Sequence, residues 1–329
     1  MTGSREEEVV CVILAGGRGT RMASRDRHKV CFPVAGVPAI RRAVDTYRRA
    51  GIRRFVVVIG AMAEQVMRAV TAAYPDTLFV FQGDPRGTGD AARLALRALA
   101  AQGYRGAVLV TMGDKVATTG LVRRQLDAFR ETDAALLAAV LPKGPETTAG
   151  RVVCEDSRIL GVVETADIRR ARERGTDLRV GGRRYSPEEV EAAADWVNGS
   201  LYVGRFDRLH AAMEKLRPDN AQGELYLTDI VGSLAAQGEA ALFPVEDPSE
   251  LMAFNTPAEL LAVEDAVRAR ESSRVTVVGH GLPGSGRFRP VEEWLRLFDT
   301  FPPEVQRECH RLYGSDDGLV QERRKACLA

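Results

Sequence analysis

The sequence has few cysteines, and they are not arranged in pairs. Cys11, Cys31, Cys154, Cys309 and Cys327 are odd in number and widely scattered. This distribution argues against a disulfide framework, and the lack of a paired ligand spacing argues against a structural zinc site. We therefore expect a reducing, cytoplasmic compartment.

The sequence also lacks a long apolar run and an excess of either charge. No stretch approaches the roughly 20 apolar residues of a membrane span. The acidic N-terminus, MTGSREEEVV, has no apolar region of the kind found in signal peptides. The 46 lysines and arginines nearly balance the 45 aspartates and glutamates, so no global basic field attracts nucleic acids or membranes. These absences favour a small-molecule ligand, with neither nucleic acid nor membrane as a partner.

No internal repeat is present, and in particular no hexapeptide repeat of a left-handed β-helix. The 329 residues, 45% of them hydrophobic, are enough for a sizeable core. Up to about residue 145, short apolar strands alternate with amphipathic helices. This alternation predicts an α/β fold whose mainly parallel sheet is covered on both faces and binds ligands at the carboxyl ends of its strands.

The pattern changes after about residue 145. GRVVCEDSRILGVVE is typical of a hairpin, and the highly charged residues 165–195 follow it. Two interpretations of the charged stretch are open: a solvated helix face or mobile loop, or a basic clamp on a substrate phosphate. The last residues, LVQERRKACLA, stop inside an apparent helix without a capping signal, which predicts that the natural chain continues.

The opening stretch VVCVILAGGRGTRM runs an apolar strand into a glycine-rich loop. Glycine lets the backbone approach a ligand closely with its N–H groups pointing outward, so Gly16, Gly17 and Gly19 can wrap triphosphate oxygens. Arg18 and Arg21 can add charge-assisted hydrogen bonds. The loop is neither a Walker A motif nor the dinucleotide-binding GxGxxG motif. The sequence therefore predicts a triphosphate-binding loop of another kind.

Together with the residues that follow it, this loop resembles the signature of the sugar nucleotidyltransferases, also called NDP-sugar pyrophosphorylases. LAGGRGTRM, Lys29 and FPVAGVPAI carry the resemblance, which spans roughly Val9 to Val267. It is closest to the uridylyltransferase branch that acts on N-acetylglucosamine 1-phosphate, without the acetyltransferase β-helix. The resemblance implies a Rossmann-like, mixed and mainly parallel sheet with a small β-rich sugar-binding lobe and a short helical C-terminal extension. The implied reaction joins an NTP and a sugar 1-phosphate to give an NDP-sugar and pyrophosphate.

The same resemblance implies a division of the chain. We predict one nucleotidyltransferase domain over residues 1–270, with an NTP-binding half at 9–145 and a sugar-phosphate-binding half at 146–270. Residues 271–329 would form a linker and a helical extension, and whether they begin a further domain is open. The extension could pack on its own core or on a second copy, so a homo-oligomer is open as well.

The resemblance also assigns roles to individual residues. It implies that Arg18 and Lys29 are catalytic, and that Asp114 and Asn255 hold Mg²⁺. Asn255 also lies in a region where a helix N-terminal cap is expected. The implied nucleotide contacts are Leu14, Ala15, Gly16, Gly17, Gly19, Thr20, Gln82, Gly87, Thr88 and Gly113. The implied sugar contacts are Gly150, Glu164, Asn198, Tyr226 and Thr228, with Asp229 nearby.

Two segments tie these assignments to the uridylyltransferases. FQGDPRGTGDAA is similar to the segment that reads the pyrimidine base, and PDNAQGELYLTDIV is the most family-specific stretch of the second half. The Gln82 amide can pair with an imide edge through both a donor and an acceptor. Glu164 can accept hydrogen bonds from two sugar hydroxyls.

The chain departs from the uridylyltransferases at several places, including a longer insertion between Glu164 and Asn198. Ala15-Gly16 replaces two alanines, His28 replaces a proline in a segment one residue longer, and Lys115 follows the Gly-Asp pair. The substrates therefore stay open: UTP is favoured, while dTTP, GTP or ATP with a hexose or cyclitol phosphate is the alternative. Two other functions are open, a non-catalytic sugar-nucleotide sensor and the N-terminal half of a bifunctional sugar kinase and nucleotidyltransferase.

Overall fold

Four apolar strands of the first half pair in parallel. The computed structural model describes residues 8–17, 19–22, 26–144, 147–155 and 158–272. Strand β1 (Val9–Ala15) lies between β4 (Arg54–Ile59) and β6 (Ala107–Met112), and β4 also pairs with β5 (Leu78–Phe81). β1, β4 and β6 are almost continuously buried, as expected for parallel strands covered on both faces.

Helices cover both faces because side chains alternate along each strand. Val10, Val12 and Leu14 pack in the core that includes helix α3 (Thr88–Ala101). Cys11, Ile13 and Ala15 face the opposite core. That second core contains residues of α1 (Ala39–Arg49), α2 (Ala63–Thr71) and α4 (Thr119–Arg130). The predicted α/β fold is confirmed.

The second half extends the same sheet mainly with antiparallel strands. The longest strand, β13 (Trp196–Arg205), pairs with β6, with β8 (Leu136–Pro142) and with β9 (Arg151–Glu155). The predicted hairpin is confirmed as β9 and β10 (Arg158–Val163). Strand β14 (Ala240–Pro244) adds to β8 in parallel. The order is β10-β9-β13-β6-β1-β4-β5, with β8 on β13 and β14 on β8.

The charged stretch folds into short elements outside this sheet. It forms α5 (Thr165–Arg174), the hairpin β11 (Leu178–Val180) and β12 (Arg183–Tyr185), and α6 (Pro187–Ala192). Ile168 and Ala171 of α5 are buried, whereas most of its arginines lie on the exposed side. The interpretation as a solvated helix face therefore fits α5.

The remaining elements close the described chain. They are two short strands, β2 (Pro33–Val34) and β3 (Val37–Pro38), the helices α7 (Phe206–Glu214), α8 (Asp229–Ala235) and α9 (Pro257–Ser272), and the strand pair β7 (Lys115–Ala117) and β15 (Leu251–Ala253). No helix in the described ranges is long and apolar enough to cross a membrane. Cys11, Cys31 and Cys154 are free.

The chain divides into two compact units, residues 1–264 and 265–329. Of the second unit, only residues 265–272, the end of α9, belong to the described residues. The predicted linker and helices over 273–329 lie outside them. The division into an NTP-binding half and a sugar-phosphate-binding half stays a prediction.

Candidate active site

The ends of two neighbouring parallel strands form the floor of a cleft of about 200 Å³. β1 ends at Ala15, and the Gly113 N–H that follows β6 donates to the Leu14 carbonyl at 2.9 Å. Predicted site residues that line this cleft are Leu14, Ala15, Gly17, Gly19, Lys29, Gly113, Asp114 and Asn255. The glycine loop thus lies at the carboxyl edge of the sheet, where α/β folds bind ligands.

Gly19 allows the loop to pass close to Lys29. Its φ is +61°, in the left-handed region. A Cβ added to Gly19 would lie 2.5 Å from the Cβ of Lys29. A side chain there would be strained and would displace the lysine, so only glycine fits without rearrangement.

Lys29, Asp114 and Asn255 meet in the cleft. The Lys29 Nζ donates to the Asp114 carboxylate and, at 3.1 Å, to Asn255 Oδ1. Arg21 Nη2 also donates to Asn255 Oδ1, at 3.2 Å. The antiparallel pairing of β7 with β15 sets Lys115 opposite Ala253, which brings the two distant segments together.

Residues next to Asn255 cap the start of α9, so the Asn255 side chain is not needed as the helix cap. Thr256 Oγ1 accepts from the Glu259 N–H at 3.2 Å, and Glu259 Oε2 accepts from the Asn255 backbone N–H. These two hydrogen bonds pair backbone N–H groups at the start of α9 and do not use the side-chain amide of Asn255. The amide is therefore left to face Lys29 and Arg21.

The donor set fits a divalent cation that shares its coordination with a ligand. The oxygens of Asp114 and Asn255 converge on one cationic atom, Lys29 Nζ. Among the described residues no group of at least three His, Cys, Asp or Glu side chains could hold a metal ion. Mg²⁺ commonly takes one or two carboxylates and completes its octahedron with phosphate oxygens and water. Two protein oxygens beside a loop predicted to bind phosphate match this coordination preference of Mg²⁺.

A second lysine lies next to this group. Lys115 follows Asp114 directly, on β7. Burial lowers the pKa of the Lys115 ammonium, the Asp114 carboxylate raises it, and the Lys29 ammonium lowers it further. Asp114 thus interacts with two lysine side chains, Lys29 and Lys115.

His28 is a buried residue of the cleft whose role the sequence did not reveal. Its Nδ1 accepts from the Val30 N–H at 3.3 Å and caps the 3-10 helix Lys29–Cys31. The His28 backbone N–H donates to Gln65 Oε1 at 2.9 Å, a bond that a proline could not make. Burial lowers the pKa of His28, while the neighbouring Gly17 backbone raises it less. The sequence signal was the replacement of proline.

The Gln82 side chain meets the glycine loop as an acceptor rather than as a donor and acceptor. Its Nε2 donates to the Gly87 carbonyl at 3.2 Å and to Asp90 Oδ2 at 3.0 Å. These bonds use both amide protons. A Cβ on Gly16 would lie 3.0 Å from Gln82 Oε1, so this oxygen faces the glycine loop. The expectation that Gln82 pairs through both its donor and its acceptor is corrected, because Asp90 and Gly87 occupy the donors.

The predicted base segment is joined to the family-specific late segment by backbone hydrogen bonds. The Leu225 N–H donates to the Arg86 carbonyl at 2.8 Å, and the Gly89 N–H donates to the Leu225 carbonyl at 2.7 Å. Thr88 Oγ1 accepts from the Leu227 N–H at 3.1 Å. Gly87 has φ +103°, and a Cβ there would lie 2.5 Å from the Leu225 carbonyl oxygen. We call these contacts the seam.

Several predicted sugar residues cluster beyond the seam. The Thr228 hydroxyl donates to Glu164 Oε1 at 3.0 Å. A Cβ on Gly150 would lie 3.3 Å from the Glu164 carboxyl carbon, and the Asn198 N–H donates to the Gly150 carbonyl at 2.9 Å. Burial raises the pKa of Glu164, while the Thr228 hydrogen bond lowers it. The cluster presents a desolvated carboxylate.

Asn198 and Tyr226 are largely occupied within the protein. Asn198 Oδ1 accepts from the Tyr202 hydroxyl at 2.8 Å and from the Ser200 N–H at 2.9 Å. The Tyr226 hydroxyl donates to Gln222 Oε1 at 2.9 Å. Asn198 Nδ2 donates to Ser200 Oγ at 3.3 Å and keeps a second proton. A direct contact from Asn198 to a sugar would therefore be a donated one.

Two further carboxylates lie near Glu164. Asp167 Oδ1 accepts from the Ala221 N–H at 2.5 Å and ties α5 to the loop before the seam. Burial raises the pKa of Asp167. Partial burial, together with repulsion from Asp167 and Glu164, raises the pKa of Asp229 to about 6. Asp167 lies within the charged stretch, where its residue type alone predicts no role.

Two predicted residues cannot be placed fully. Arg18 lies outside the described residues, so its catalytic role stays a prediction. Thr20 begins the 3-10 helix Thr20–Met22, and nothing is described of its side chain.

A second, more open pocket of about 420 Å³ lies on α5, lined by Arg169, Arg170 and Arg174 together with Ala221 and Gln222. Arg170 donates to the Asn220 carbonyl at 2.8 Å. The pocket contains neither the glycine loop nor the pair of Asp114 and Asn255, so it is not the candidate active site. The basic clamp stays an untested alternative.

Comparisons with known proteins agree with this geometry. The sequence model of the family described as the MobA-like NTP transferase domain matches residues 11–225. The chain is 34% identical to the bifunctional protein GlmU of Geobacter metallireducens over 275 residues, which are 83% of this chain and 53% of that protein. It is 32% identical to the GlmU of Roseobacter denitrificans over 276 residues, 84% of this chain and 56% of that protein. The chain thus spans about half the length of these curated relatives.

Solved structures share the fold at low sequence identity. A putative glucose-1-phosphate thymidylyltransferase from Bacillus anthracis, in complex with a sucrose, has a TM-score of 0.61 at 17% identity, covering 82% of this chain and 98% of its own. A UDP-glucose pyrophosphorylase complexed with UDP-glucose has a TM-score of 0.59 at 15% identity, covering 80% of this chain and 99% of its own. These likenesses bear on the fold alone.

Proposed function

The chain belongs to the family of MobA-like NTP transferase domains and is a nucleotidyltransferase, and from this premise we propose that it acts on a sugar 1-phosphate. It would transfer a nucleotidyl group from an NTP to that phosphate and release pyrophosphate. The observation that carries the proposal is the meeting of Lys29, Asp114 and Asn255 beside the glycine loop.

The chemistry needs no covalent intermediate on the protein. An oxygen of the sugar phosphate bonds to the α-phosphorus of the NTP, and the bond from that phosphorus to the bridging oxygen breaks. Pyrophosphate leaves with the electron pair. Because the attacking oxygen is already anionic, catalysis consists of positioning and charge neutralisation. Lys29 and Arg21 would offset the triphosphate charge, while the loop N–H groups hold its oxygens.

Asp114 and Asn255 would hold Mg²⁺ in this proposal. When bound, the ion would polarise the reacting phosphate and neutralise its developing charge. Lys29 contacts both proposed ligands, so its ammonium keeps the two oxygens directed at one place. Arg21 adds a second donor to Asn255.

Gln82 supports a preference for UTP. With both amide protons used, Oε1 can only accept, and the imide N–H of uracil or thymine is a donor. Cytosine carries an acceptor at the same ring position and would leave Oε1 unpaired. UTP is therefore proposed first, with dTTP next and CTP disfavoured.

The sugar is proposed to be N-acetylglucosamine 1-phosphate or a related hexose 1-phosphate. The support is the partly buried Glu164 carboxylate, which already accepts from Thr228 and has further lone pairs for sugar hydroxyls. An acceptor that becomes buried when the substrate binds discriminates against substrates that lack its donor. A cytoplasmic location and a homo-oligomer stay predictions.

Pyrophosphate release tests the proposal. Each common NTP and dTTP would be combined with a panel of hexose and N-acetylhexosamine 1-phosphates, first with Mg²⁺ and then with EDTA. We expect Mg²⁺-dependent release, fastest with UTP. Release with another pair would move the specificity within the same class. NTP binding without release from any pair would favour the sensor function and contradict the proposal.

A further inference from the structure

The proposed reaction leaves one buried side chain of the cleft without a function. His28 is 1% exposed and lines the cleft together with Gly17 and Lys29. The uridylyltransferases carry proline at this position, so the resemblance assigns no role to an imidazole. The imidazole is more than a space-filling group, because both of its ring nitrogens are polar and are removed from water.

The surroundings of His28 select one tautomer of its ring. Nδ1 accepts from the Val30 N–H at 3.3 Å, and a nitrogen that accepts carries no proton. The proton of the neutral ring is therefore on Nε2. Burial lowers the pKa of His28, which favours this neutral form.

The proton on Nε2 has no acceptor in good hydrogen-bond geometry. Nε2 is buried and makes no hydrogen bond in the described part of the chain. Buried donors are almost always paired, and an unpaired one calls for an explanation. A hydrogen-bond interaction with the Gly17 backbone raises the pKa of the ring, against the larger effect of burial. The Gly17 carbonyl of the glycine loop is thus a candidate acceptor for Nε2–H.

We propose that His28 is a positioning residue of the glycine loop, whose Nε2–H donates to the Gly17 carbonyl when a nucleoside triphosphate binds. This inference rests on the proposed function, which makes the triphosphate the ligand of the loop. Holding this carbonyl would restrict the backbone of Gly17, which belongs to the loop proposed to bind the triphosphate through its N–H groups.

Two substitutions separate the loop contact from the helix cap. His28→Asn keeps a side-chain acceptor at the distance of Nδ1, so it retains the cap but has no donor at the position of Nε2. His28→Gln places an amide donor near the position of Nε2 but loses the short capping acceptor. Calorimetric binding of UTP and thermal unfolding would be measured for both variants and for the unmodified chain. If another NTP supports pyrophosphate release instead, that NTP would be the probe.

The two variants have opposite expected results. His28→Asn should unfold near the temperature of the unmodified protein but bind UTP about tenfold more weakly, since one hydrogen bond that orders the loop is lost. The KM for the sugar phosphate should stay within about twofold, because that substrate does not contact the loop. His28→Gln should unfold at a lower temperature and recover most of the UTP affinity.

Several outcomes would overturn the inference. Unchanged UTP affinity in His28→Asn would show that the contact is not made. Equal loss of affinity in both variants, in proportion to lost stability, would make His28 a purely structural residue. In either case the unmodified protein would still release pyrophosphate, so the proposed function would stand. If the unmodified protein neither binds a triphosphate nor releases pyrophosphate, both proposals fail.

A measurement on the unmodified protein covers the case in which His28→Asn does not fold. Long-range ¹H–¹⁵N correlation spectra distinguish the two tautomers of a histidine ring. We expect a neutral His28 ring protonated at Nε2 and a change in the Nε2 signal on addition of UTP. His210→Gln would serve to assign the spectra, because His210 lies on α7 and stacks on Phe206. A proton on Nδ1, or no response to UTP, would overturn the inference.

Discussion

The two sides of the candidate site, the cleft at the glycine loop and the cluster around Glu164, use opposite chemistry. On the side of the glycine loop, Lys29 and Arg21 converge on Asn255, and loop N–H groups supply the remaining donors. On the far side of the seam, Glu164 and Asp167 are carboxylates whose pKa is raised, chiefly by burial. The first side is suited to a polyanion and the second to a neutral, hydroxyl-rich group.

The sides also differ in how they are held in place. The glycine loop follows a strand buried at the centre of the parallel sheet. The carboxylates lie on α5 and beside β10 at the antiparallel end, tied by Asp167 to Ala221. The backbone bonds of the seam connect the two sides. Substitutions on either side should therefore change one substrate's kinetics more than the other's.

The largest expected effect is at Asp114. Asp114→Ala removes the only carboxylate that contacts Lys29 among the described residues, and we expect kcat to fall by about 10³-fold because charge neutralisation at the reacting phosphate is lost. Pyrophosphate release at saturating substrates and Mg²⁺ measures this. Asp127→Ala, at the exposed ion pair with Arg130, is the matched control and should keep full activity. Normal turnover of Asp114→Ala would remove Asp114 from the mechanism.

Gly19→Ala should be the next most severe change. Its Cβ would meet the Lys29 side chain at 2.5 Å in a backbone of positive φ, so we expect the KM for the NTP to rise by about 10²-fold. Gly36→Ala isolates the backbone strain, because Gly36 has φ +78° but nothing within 4 Å. The control should lose about 1 kcal/mol of stability and no activity. Equal kinetic losses in the two variants would contradict a specific role of Gly19.

Glu164→Gln should act on the sugar side alone. The amide keeps the size of the side chain but weakens the acceptor, so we expect the KM for the sugar phosphate to rise about tenfold. The KM for the NTP should stay within about twofold. Initial rates with each substrate varied in turn measure both. Glu155→Gln is the control: Glu155 lies on β9 in a partly exposed ion pair with Arg183, and the variant should change neither KM. A rise in the KM for the NTP alone would contradict the separation of the two sides.

The smallest expected effect is on pH dependence. The pKa of Asp229 is raised from 3.8 to about 6 in the folded chain. The protonated form is therefore favoured by folding, and this contribution to stability is present below about pH 4 and lost as the pH rises through about 6. Asp229→Asn should remove this pH dependence from the free energy of unfolding.

Because Asp229 is only partly buried, solvent screens the effect, and the gain of Asp229→Asn at pH 7 should be under about 1 kcal/mol. Urea unfolding at several pH values measures it. Asp127→Asn is the control and should leave the slope over this pH range unchanged. A free energy of unfolding that falls more steeply with pH in Asp229→Asn than in the unmodified chain would contradict the predicted direction of the effect.

Local patterns in the sequence predicted the parallel half of the fold. The apolar runs of β1, β4 and β6 are long enough to identify buried strands, and the glycine loop follows β1 directly. Family resemblance then indicated Lys29, Asp114 and Asn255 as partners. Their contact depends on the pairing of β7 with β15, which joins segments more than a hundred residues apart. No local pattern encodes that pairing.

The hydrogen-bond partners inside the site could not be predicted from the sequence either. Residue type gave Gln82 a donor and an acceptor, but only the fold shows that Asp90 and Gly87 occupy the donors. Asp167 was hidden in a stretch whose charge pattern indicated a solvated face, which most of α5 indeed presents. Side-chain pairing is decided by packing, so composition alone cannot predict it.

The pairing of β7 with β15 also sets an order of events during synthesis. Domains acquire long-range contacts only after the later segment is available. The glycine loop and Asp114 emerge from the ribosome early, whereas Asn255 and the strand before it emerge much later. A nascent chain that ends before residue 251 would therefore carry the glycine loop and Asp114 without Asn255, the second residue of the proposed cation site. Full catalytic competence would arrive as a late step of translation, after most of the sheet has formed.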